Sequence, residues 1–372
     1  MLVAGDHEIT ETGFAELPDF LPQRSLLIFN DTRVIRARLV FYKTAGARIE
    51  VFCLQPIGSY GQYLQSTWKC LIGNAKKWKS GMLEMVVPTP AGNITLQAAR
   101  GEAMGEAHQV SFSWDSPTLS FEQVLEYAGK IPLPPYLNRE PVESDTIRYQ
   151  TIYARNNGSV AAPTAGLHFT PAILESLEER GCTTDYLTLH VGAGTFRPVS
   201  ASDAREHLMH EEELIVSKEL LMRLLSNLCG NITAVGTTSM RSLESIYWLG
   251  AAIVNGKEPG NNFMIRQWEP YEGEVRIPAA EALQSILDYM SRKSISTLSG
   301  FTGIMIVPGY RFRICNALVT NFHQPKSTLL LLVAAFVGEE WKKAYDFALE
   351  KKLRFLSYGD SCLFFRKEAD AG

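Results

Sequence analysis

No two of the six cysteines form a CxxC pair or share a clustered spacing; Cys53, Cys70, Cys182, Cys229, Cys315 and Cys362 are scattered along 372 residues. That scatter excludes a disulfide framework and a zinc ribbon, and it suits a reducing cytoplasm. The opening residues lack a basic stretch followed by an apolar run, so no signal peptide is expected. The most apolar stretch, Leu329 to Val337, is far shorter than the ~20 residues a membrane span needs. Internal repeats and low-complexity tracts are absent too. There is no cationic excess: the net charge is −4, which argues against non-specific DNA binding. A shaped RNA remains open as a partner, because phosphate contact needs only a local basic surface. What is left is a soluble, cytoplasmic protein with no membrane and no DNA partner.

What is present divides into two textures. Ser25 to Phe29 reads as a strand running into Asn30-Asp31-Thr32-Arg33. From about Val40 to Ala128 short alternating segments appear, such as Arg48 to Leu54, Trp68 to Ile72 and Gln109 to Trp114, parted by Gly, Pro and Asn turns. That is the pattern of a small antiparallel barrel or sandwich. A helix over Phe121 to Tyr127 and the proline-rich Ile131 to Tyr136 close it, since consecutive prolines cannot continue a ladder. Beyond Tyr149 helices and strands alternate. Thr170-Pro171 opens a helix that Gly181 can close. Further helices are expected over Lys218 to Leu228, from about Met240, over Ala279 to Tyr289, over Ser327 to Val337 and over Glu340 to Lys351. Strands are expected at Thr233 to Gly236 and Ile304 to Val307. The expected fold class is an α/β main domain interrupted by an inserted antiparallel β-barrel domain. The main domain takes residues 1–39 and 129–372, and the insertion takes 40–128.

Polar, Gly- and Thr-rich loops sit where apolar strands end, the edge at which open α/β sheets bind ligands. They include Phe29 to Val34, Gly158 to Thr170 (GSVAAPTAGLHFT), Thr188 to Val199, His207 to Glu211, Val235 to Arg241, Pro308 to Tyr310, Thr320 to Thr328 and Ser357 to Asp360. Together, from about residue 2 to residue 363 and in order, they closely resemble the motif set of the S-adenosylmethionine:tRNA ribosyltransferase-isomerase (QueA) family. Any one loop alone is weak; the long block recurring with seven others is specific.

The resemblance implies a transferase that uses S-adenosylmethionine as a ribosyl-donor substrate, with no further cofactor and no metal. The ribosyl group is moved and rearranged onto the aminomethyl arm of 7-aminomethyl-7-deazaguanine at the tRNA wobble position. Epoxyqueuosine is the product, with adenine and methionine released. It further implies an α/β domain with an inserted barrel, and a monomer. Two departures accompany it. The family pattern has a further segment ahead of this Met1, ending in a Pro-, Arg- and Ser-rich loop. The expectation is therefore a misassigned start or a protein lacking one strand and a substrate-contacting arginine. The family's His-Lys-Met-His-Ser-Glu reads His207-Leu208-Met209-His210-Glu211-Glu212, a carboxylate for a hydroxyl.

Such a reaction needs a base for a proton beside the sulfonium carbon, an acid near departing adenine, and an acceptor for the attacking amine's proton. Histidine titrates in the right range, and His168, His190, His210 and His323 stand in the matching loops as the catalytic candidates. Each is either a direct catalyst or a group that shapes its loop. The substrate-binding candidates are Asn30, Asp31, Thr32, Arg33, Thr164, Gly192, Gly194, Thr237, Thr238, Arg241, Asn321 and Asp360. Arg241 opens a helix after Gly236-Thr237-Thr238-Ser239, where free amides favour an anion; a structural ion pair is the competing assignment. Asp31 and Asp360 are candidates for ribose hydroxyls or the amine, or are turn caps. His207 and His210, three apart, could be imagined with Glu211 as metal ligands, but a well-placed third ligand is lacking.

Two look-alikes fail. Val191-Gly192-Ala193-Gly194-Thr195 imitates a Rossmann glycine loop, but Phe196 replaces the third glycine and Pro198 follows. Gln324-Pro325-Lys326-Ser327-Thr328 has a P-loop ending without the upstream glycines. The stretch Trp68 to Lys79 sets Trp68 and Trp78 among Lys69, Lys76, Lys77 and Lys79. Lys76, Lys77, Lys79 and Trp78 are the RNA-binding candidates, because cations and aromatic faces together grip single-stranded RNA; a solvated barrel face is the alternative. Two rival functions stay in view: an S-adenosylmethionine-dependent RNA methyltransferase, and a catalytically inactive RNA-binding paralogue.

Overall fold

The computed structural model describes residues 1–5, 8–58, 64–192, 194, 205, 207–260, 262–273 and 275–366. The chain forms two compact units. One comprises Met1–Thr32, Gln150–Asn156 and Ala162–Gly372; the other comprises Arg33–Tyr149 and Asn157–Ala161. The span expected for the insertion, 40–128, falls inside the second unit.

The first unit is built on a ten-stranded mixed sheet. Its order is Phe263–Ile265, Thr297–Thr302, Glu212–Ser217, Thr183–Leu189, Leu26–Asn30, Ile232–Val235, Ala317–Asn321, Ser361–Phe365, Leu2–Gly5 and Glu8–Glu11. The four strands from Thr183–Leu189 to Ala317–Asn321 run parallel. Leu26–Asn30, Ile232–Val235 and Ala317–Asn321 are buried at every residue, as parallel strands covered on both faces must be. The two-residue period of a strand divides Leu26–Asn30 between two cores. Leu26 and Ile28 join Met240, Leu243 and Tyr247 of the helix Thr237–Val254. Leu27 and Phe29 face the opposite way and join Phe169, Ile173 and Leu177 of the segment leading into and through the helix Pro171–Glu179.

Helix Thr237–Val254 is buried almost continuously as far as Ala251; the polar residues of its first half are buried with partners, Ser239 on Val235 O, Arg241 on Glu212, Glu244 on Tyr310 and Ser245 on Arg241 O. It starts at Thr237 rather than near Met240, because Gly236 adopts φ +89° and turns the chain there. The strand expected at Ile304 to Val307 is instead Thr297–Thr302. Ile304, Met305 and Ile306 are a buried loop; a short run buried on every side has no period to tell strand from loop. Among the described residues no helix is long and apolar enough to cross a membrane.

The second unit holds a six-stranded antiparallel sheet in the order Arg38–Tyr42, Arg48–Pro56, Gln65–Gly73, Ala107–Trp114, Gly92–Met104, Met82–Thr89. Cα atoms of the first and last strands come within 8 Å, so the sheet is nearly closed into a barrel. Alternation puts Ile49, Val51 and Cys53 inside. A capping box between Ser120 and Gln123 starts the helix Phe121–Ala128. Its Phe121 ring packs against Trp68, Phe112 and Trp114.

Candidate active site

Parallel strands deliver their carboxyl ends to one edge of a sheet, and antiparallel neighbours bring their amino ends to the same edge. In the first unit that edge collects Asn30 and Asp31, His190 and Gly192, Gly236 to Arg241, and Asn321 to His323 from the parallel strands. The antiparallel strands Glu212–Ser217 and Ser361–Phe365 add His210 and Asp360. From the end of Thr183–Leu189 to the end of Ala317–Asn321 is three strand spacings, roughly 15 Å.

Asn30 completes the ladder with its side chain. Its Nδ2 donates to Leu189 O at 3.0 Å, and its Oδ1 accepts from the amides of Leu189 at 2.9 Å and Thr32 at 3.2 Å. Asp31 is thereby held at the strand end. Its carboxylate accepts from Thr188 Oγ1 at 2.7 Å and from Asn156 Nδ2 at 3.1 Å on each oxygen. Thr32 Oγ1 lies 2.8 Å from His190 Nδ1, and the His190 amide donates to Glu213 O at 2.9 Å. His190 Nε2 has no partner among the described residues. Burial pushes His190 below its ordinary pKa and the Asp31 carboxylate opposes the fall. In either tautomer one ring nitrogen is fixed and the other is open to exchange a proton.

A second group forms around Asn321. Its Nδ2 donates to Leu356 O at 2.8 Å, while its Oδ1 and His168 Nε2 are both buried without a complete hydrogen bond. The two are nonetheless close enough to interact: burial lowers His168, and the Asn321 side chain and the Asp360 carboxylate act against that. Phe14 covers the His168 ring at 5.0 Å. Asp360 accepts from the Arg354 amide at 2.7 Å, and its own amide donates to Arg354 O at 2.7 Å, which closes the segment between them. His323 is held from both sides, by Thr320 Oγ1 at 2.9 Å from Nε2 and by Tyr345 Oη accepting from its amide at 3.0 Å. Burial drives His323 down to about 4. Burial thus favours the neutral imidazole at all three positions.

Between these groups lies the amino end of Thr237–Val254. Among the described residues no side chain caps this amino end, whose N-cap is Gly236, and Thr238 Oγ1 is buried without a partner. Thr164 opens the short helix Thr164–His168, whose Ala165 lies beside Gly236. Arg241 does not stand open to an anion: it is buried, and its guanidinium meets Glu212 Oε2 at 2.5 Å. The other Glu212 oxygen accepts from the Gly192 amide at 3.0 Å. The exposed His210 ring packs on Gly194 where a side chain would be, 1.8 Å from an added Cβ, so any larger residue at 194 would displace that ring. Thr195 to Val199 and Ala193 lie outside the described residues.

The remaining candidates belong to the second unit. Arg33 is exposed there. Lys76, Lys77 and Lys79 are exposed on one turn. Trp78 is fully buried, its indole N–H donating to Gly81 O at 2.9 Å. It is part of the barrel core and offers no face to a base, which corrects the reading of WKCLIGNAKKWK as an interleaved platform. Glu212, Thr188, Asn156 and Thr320 were missed as site residues. Thr188, Glu212 and Thr320 stand within or beside the motif loops, but only the fold shows which side chains they hold.

An α/β sheet edge carrying fixed carboxylates, neutral imidazoles and an uncapped helix start is the kind of site that moves protons around a bound organic substrate. The family described as queuosine biosynthesis protein matches residues 1–364, and the chain belongs to that family. Relatives named S-adenosylmethionine:tRNA ribosyltransferase-isomerase include that of Azoarcus sp. (strain BH72), 38% identical over 99% of this chain and 91% of the relative. Those of Ralstonia nicotianae (38%, 99% and 89%) and Geobacter metallireducens (36%, 95% and 88%) are similar. The crystal structure of S-adenosylmethionine tRNA ribosyltransferase from Thermotoga maritima is 26% identical, over 98% of this chain and 91% of that one, with a TM-score of 0.45.

Proposed function

We propose that this protein is a ribosyltransferase-isomerase of queuosine biosynthesis, acting in the cytoplasm as a monomer. It moves and rearranges the ribosyl group of S-adenosylmethionine onto the aminomethyl arm of 7-aminomethyl-7-deazaguanine at the tRNA wobble position, with no further cofactor. Adenine and methionine leave, and epoxyqueuosine remains in the tRNA. Family membership and the names of the relatives support this reading. The observation that carries it in the molecule itself is the single polar edge on which His168, His190 and His323 are all biased toward the neutral form.

Neutral imidazole accepts protons, which the sulfonium-adjacent carbon and the attacking amine must both give up. His190, steadied by Thr32 and open at Nε2, serves as the proton-transfer group nearest Asp31. Asp31, fixed by Thr188 and Asn156, holds the amine or the ribose hydroxyls. The uncapped start of Thr237–Val254, with Thr238 Oγ1, takes the methionine carboxylate. Arg241 acts through Glu212, which fixes the Gly192 turn.

Product analysis tests the reading. With S-adenosylmethionine and tRNA carrying the aminomethyl base, adenine and methionine should appear in equal amounts as the tRNA gains mass. S-adenosylhomocysteine with methylated RNA would make it a methyltransferase. Retention of tRNA without adenine release would make it an inactive binding protein.

A further inference from the structure

In the second unit the turn Asn74 to Gly81 connects the strands Gln65–Gly73 and Met82–Thr89. Asn74 opens it in the left-handed region, at φ +57°, and its side-chain amide donates to Arg48 O at 3.0 Å. Arg100, on the strand Gly92–Met104, ties the turn down: its Nη1 donates to Ala75 O at 3.0 Å and to Trp78 O at 2.6 Å. Lys43 Nζ donates to Lys77 O at 2.9 Å, and the indole of buried Trp78 donates to Gly81 O. Four carbonyls of one turn therefore accept from side chains, so its backbone is fixed where a free turn would be hydrated. Arg100 is itself held, its Nη2 lying 2.5 Å from His108 Nε2 on the neighbouring strand Ala107–Trp114. Arginine has no acceptor, so that ring accepts as neutral imidazole; burial, and after it the Arg100 charge, keep His108 below its ordinary pKa.

The anchored turn presents cations. Lys76, Lys77 and Lys79 are exposed, and none of their ammonium groups makes an ion pair or hydrogen bond among the described residues. The stretch of the second unit outside the described residues, 59–63, reads SYGQY and brings no carboxylate. The acids flanking the turn are engaged elsewhere. Glu50, opposite Gly73, stands between Arg38 and Arg48 at 3.0 and 3.1 Å, and Glu84, on the strand that follows, accepts from Gln97 at 2.9 Å. Like charges so close in the chain repel, and an unpinned turn would spread them. Holding the backbone keeps them together.

Ammonium groups meet phosphate as point charges, whereas bases are recognised by stacking and by hydrogen bonds to their edges. With Trp78 in the core, the turn offers charge and no ring. We propose that this turn, positioned by Arg100, is a sequence-independent contact for the phosphates of the RNA substrate's backbone. That the RNA is tRNA rests on the function proposed above. In a chain of net charge −4, such a local contact adds to binding made elsewhere on the molecule. Arg100 is a positioning residue: its donors are spent on Ala75 O, Trp78 O and His108, and it acts through the three lysines.

The test measures the affinity of the full chain for tRNA across a salt series. Arg100→Met keeps all three lysines, and it should weaken binding by about threefold and make the slope of log K against log salt shallower by about 1. Added to the triple variant Lys76→Ala/Lys77→Ala/Lys79→Ala, the same change should weaken binding no further, because what Arg100 positions is gone. Arg100→Lys, which keeps a donor for Ala75 O and Trp78 O, should recover part of the loss at an unchanged Tm. No loss in Arg100→Met, or an equal loss with and without the lysines, would overturn the positioning role. A second arm replaces tRNA by an RNA hairpin of unrelated sequence. The triple variant should lose the same factor on both; a loss confined to tRNA would mean that the turn reads bases and would overturn the backbone assignment. A triple variant unchanged toward both RNAs but impaired toward phosphatidylglycerol vesicles would assign the turn to a lipid surface, which also overturns the proposal. Every readout is an affinity, so a failure to release adenine would sink the proposed function and leave this inference to be judged on its own.

Discussion

The polar edge of the first unit and the lysine turn of the second carry comparable signals in sequence, yet they are built in opposite ways. On the edge, polar side chains are buried and hold one another: Asn30 on Leu189, Thr188 and Asn156 on Asp31, Thr32 on His190. On the turn, Lys76, Lys77 and Lys79 are exposed, and the one aromatic among them is core. Buried polar groups are costly unless each is satisfied, so a dense, fixed cluster at a strand end marks a place where geometry matters. Exposed charge costs little and marks at most an electrostatic surface.

The sharpest contrast lies at Arg241. Removing it by Arg241→Ala strands the buried Glu212 carboxylate and should destabilise the fold by about 3–5 kcal/mol in denaturant titration. The paired change Arg241→Met/Glu212→Leu should recover most of that stability but not activity; activity restored with stability would reduce the pair to packing. Trp78→Ala should cost a comparable ~3–5 kcal/mol by opening a cavity in the barrel. A stable Trp78→Ala protein with weakened tRNA binding would restore the stacking role that its burial denies.

His323 tests the edge through pH. Its folded value near 4 lies below the ordinary 6.5, so between those values the unfolded chain binds more protons. The contribution is whole above pH 6.5 and is lost as pH falls toward 4, roughly 3 kcal/mol in all. His323→Gln should flatten that part of the stability profile; an unchanged slope would place the titration elsewhere. The smallest effect is expected at the turn. Lys76→Ala, Lys77→Ala and Lys79→Ala together should weaken tRNA binding by tenfold or less and flatten its salt dependence by about 1 per lost contact. An unchanged slope would give the turn no part in binding.

Much of the framework was legible because period and punctuation report it locally. Thr170 caps Pro171–Glu179, Ser327 caps Thr328–Val337, and the alternation at Arg48–Pro56 is that of a half-buried strand. The strand at Thr297–Thr302 was not, because the adjoining Ile304 to Ile306 is the more apolar run and is buried as a loop. The candidate loops were legible as motifs, but the partners within them were not. Glu212 lies 29 residues from Arg241 and Thr32 lies 158 from His190, and no local pattern encodes such pairings. Trp78 misled for the same reason: its burial is decided by strands distant in sequence.

The central claim is that a proton crosses His190 at this edge. It is tested most directly by the rate of adenine release from S-adenosylmethionine in the presence of tRNA bearing the aminomethyl base, for His190→Ala beside wild type. The account predicts a fall of at least ~100-fold with Tm unchanged. A rate near that of wild type in a folded His190→Ala protein would contradict it.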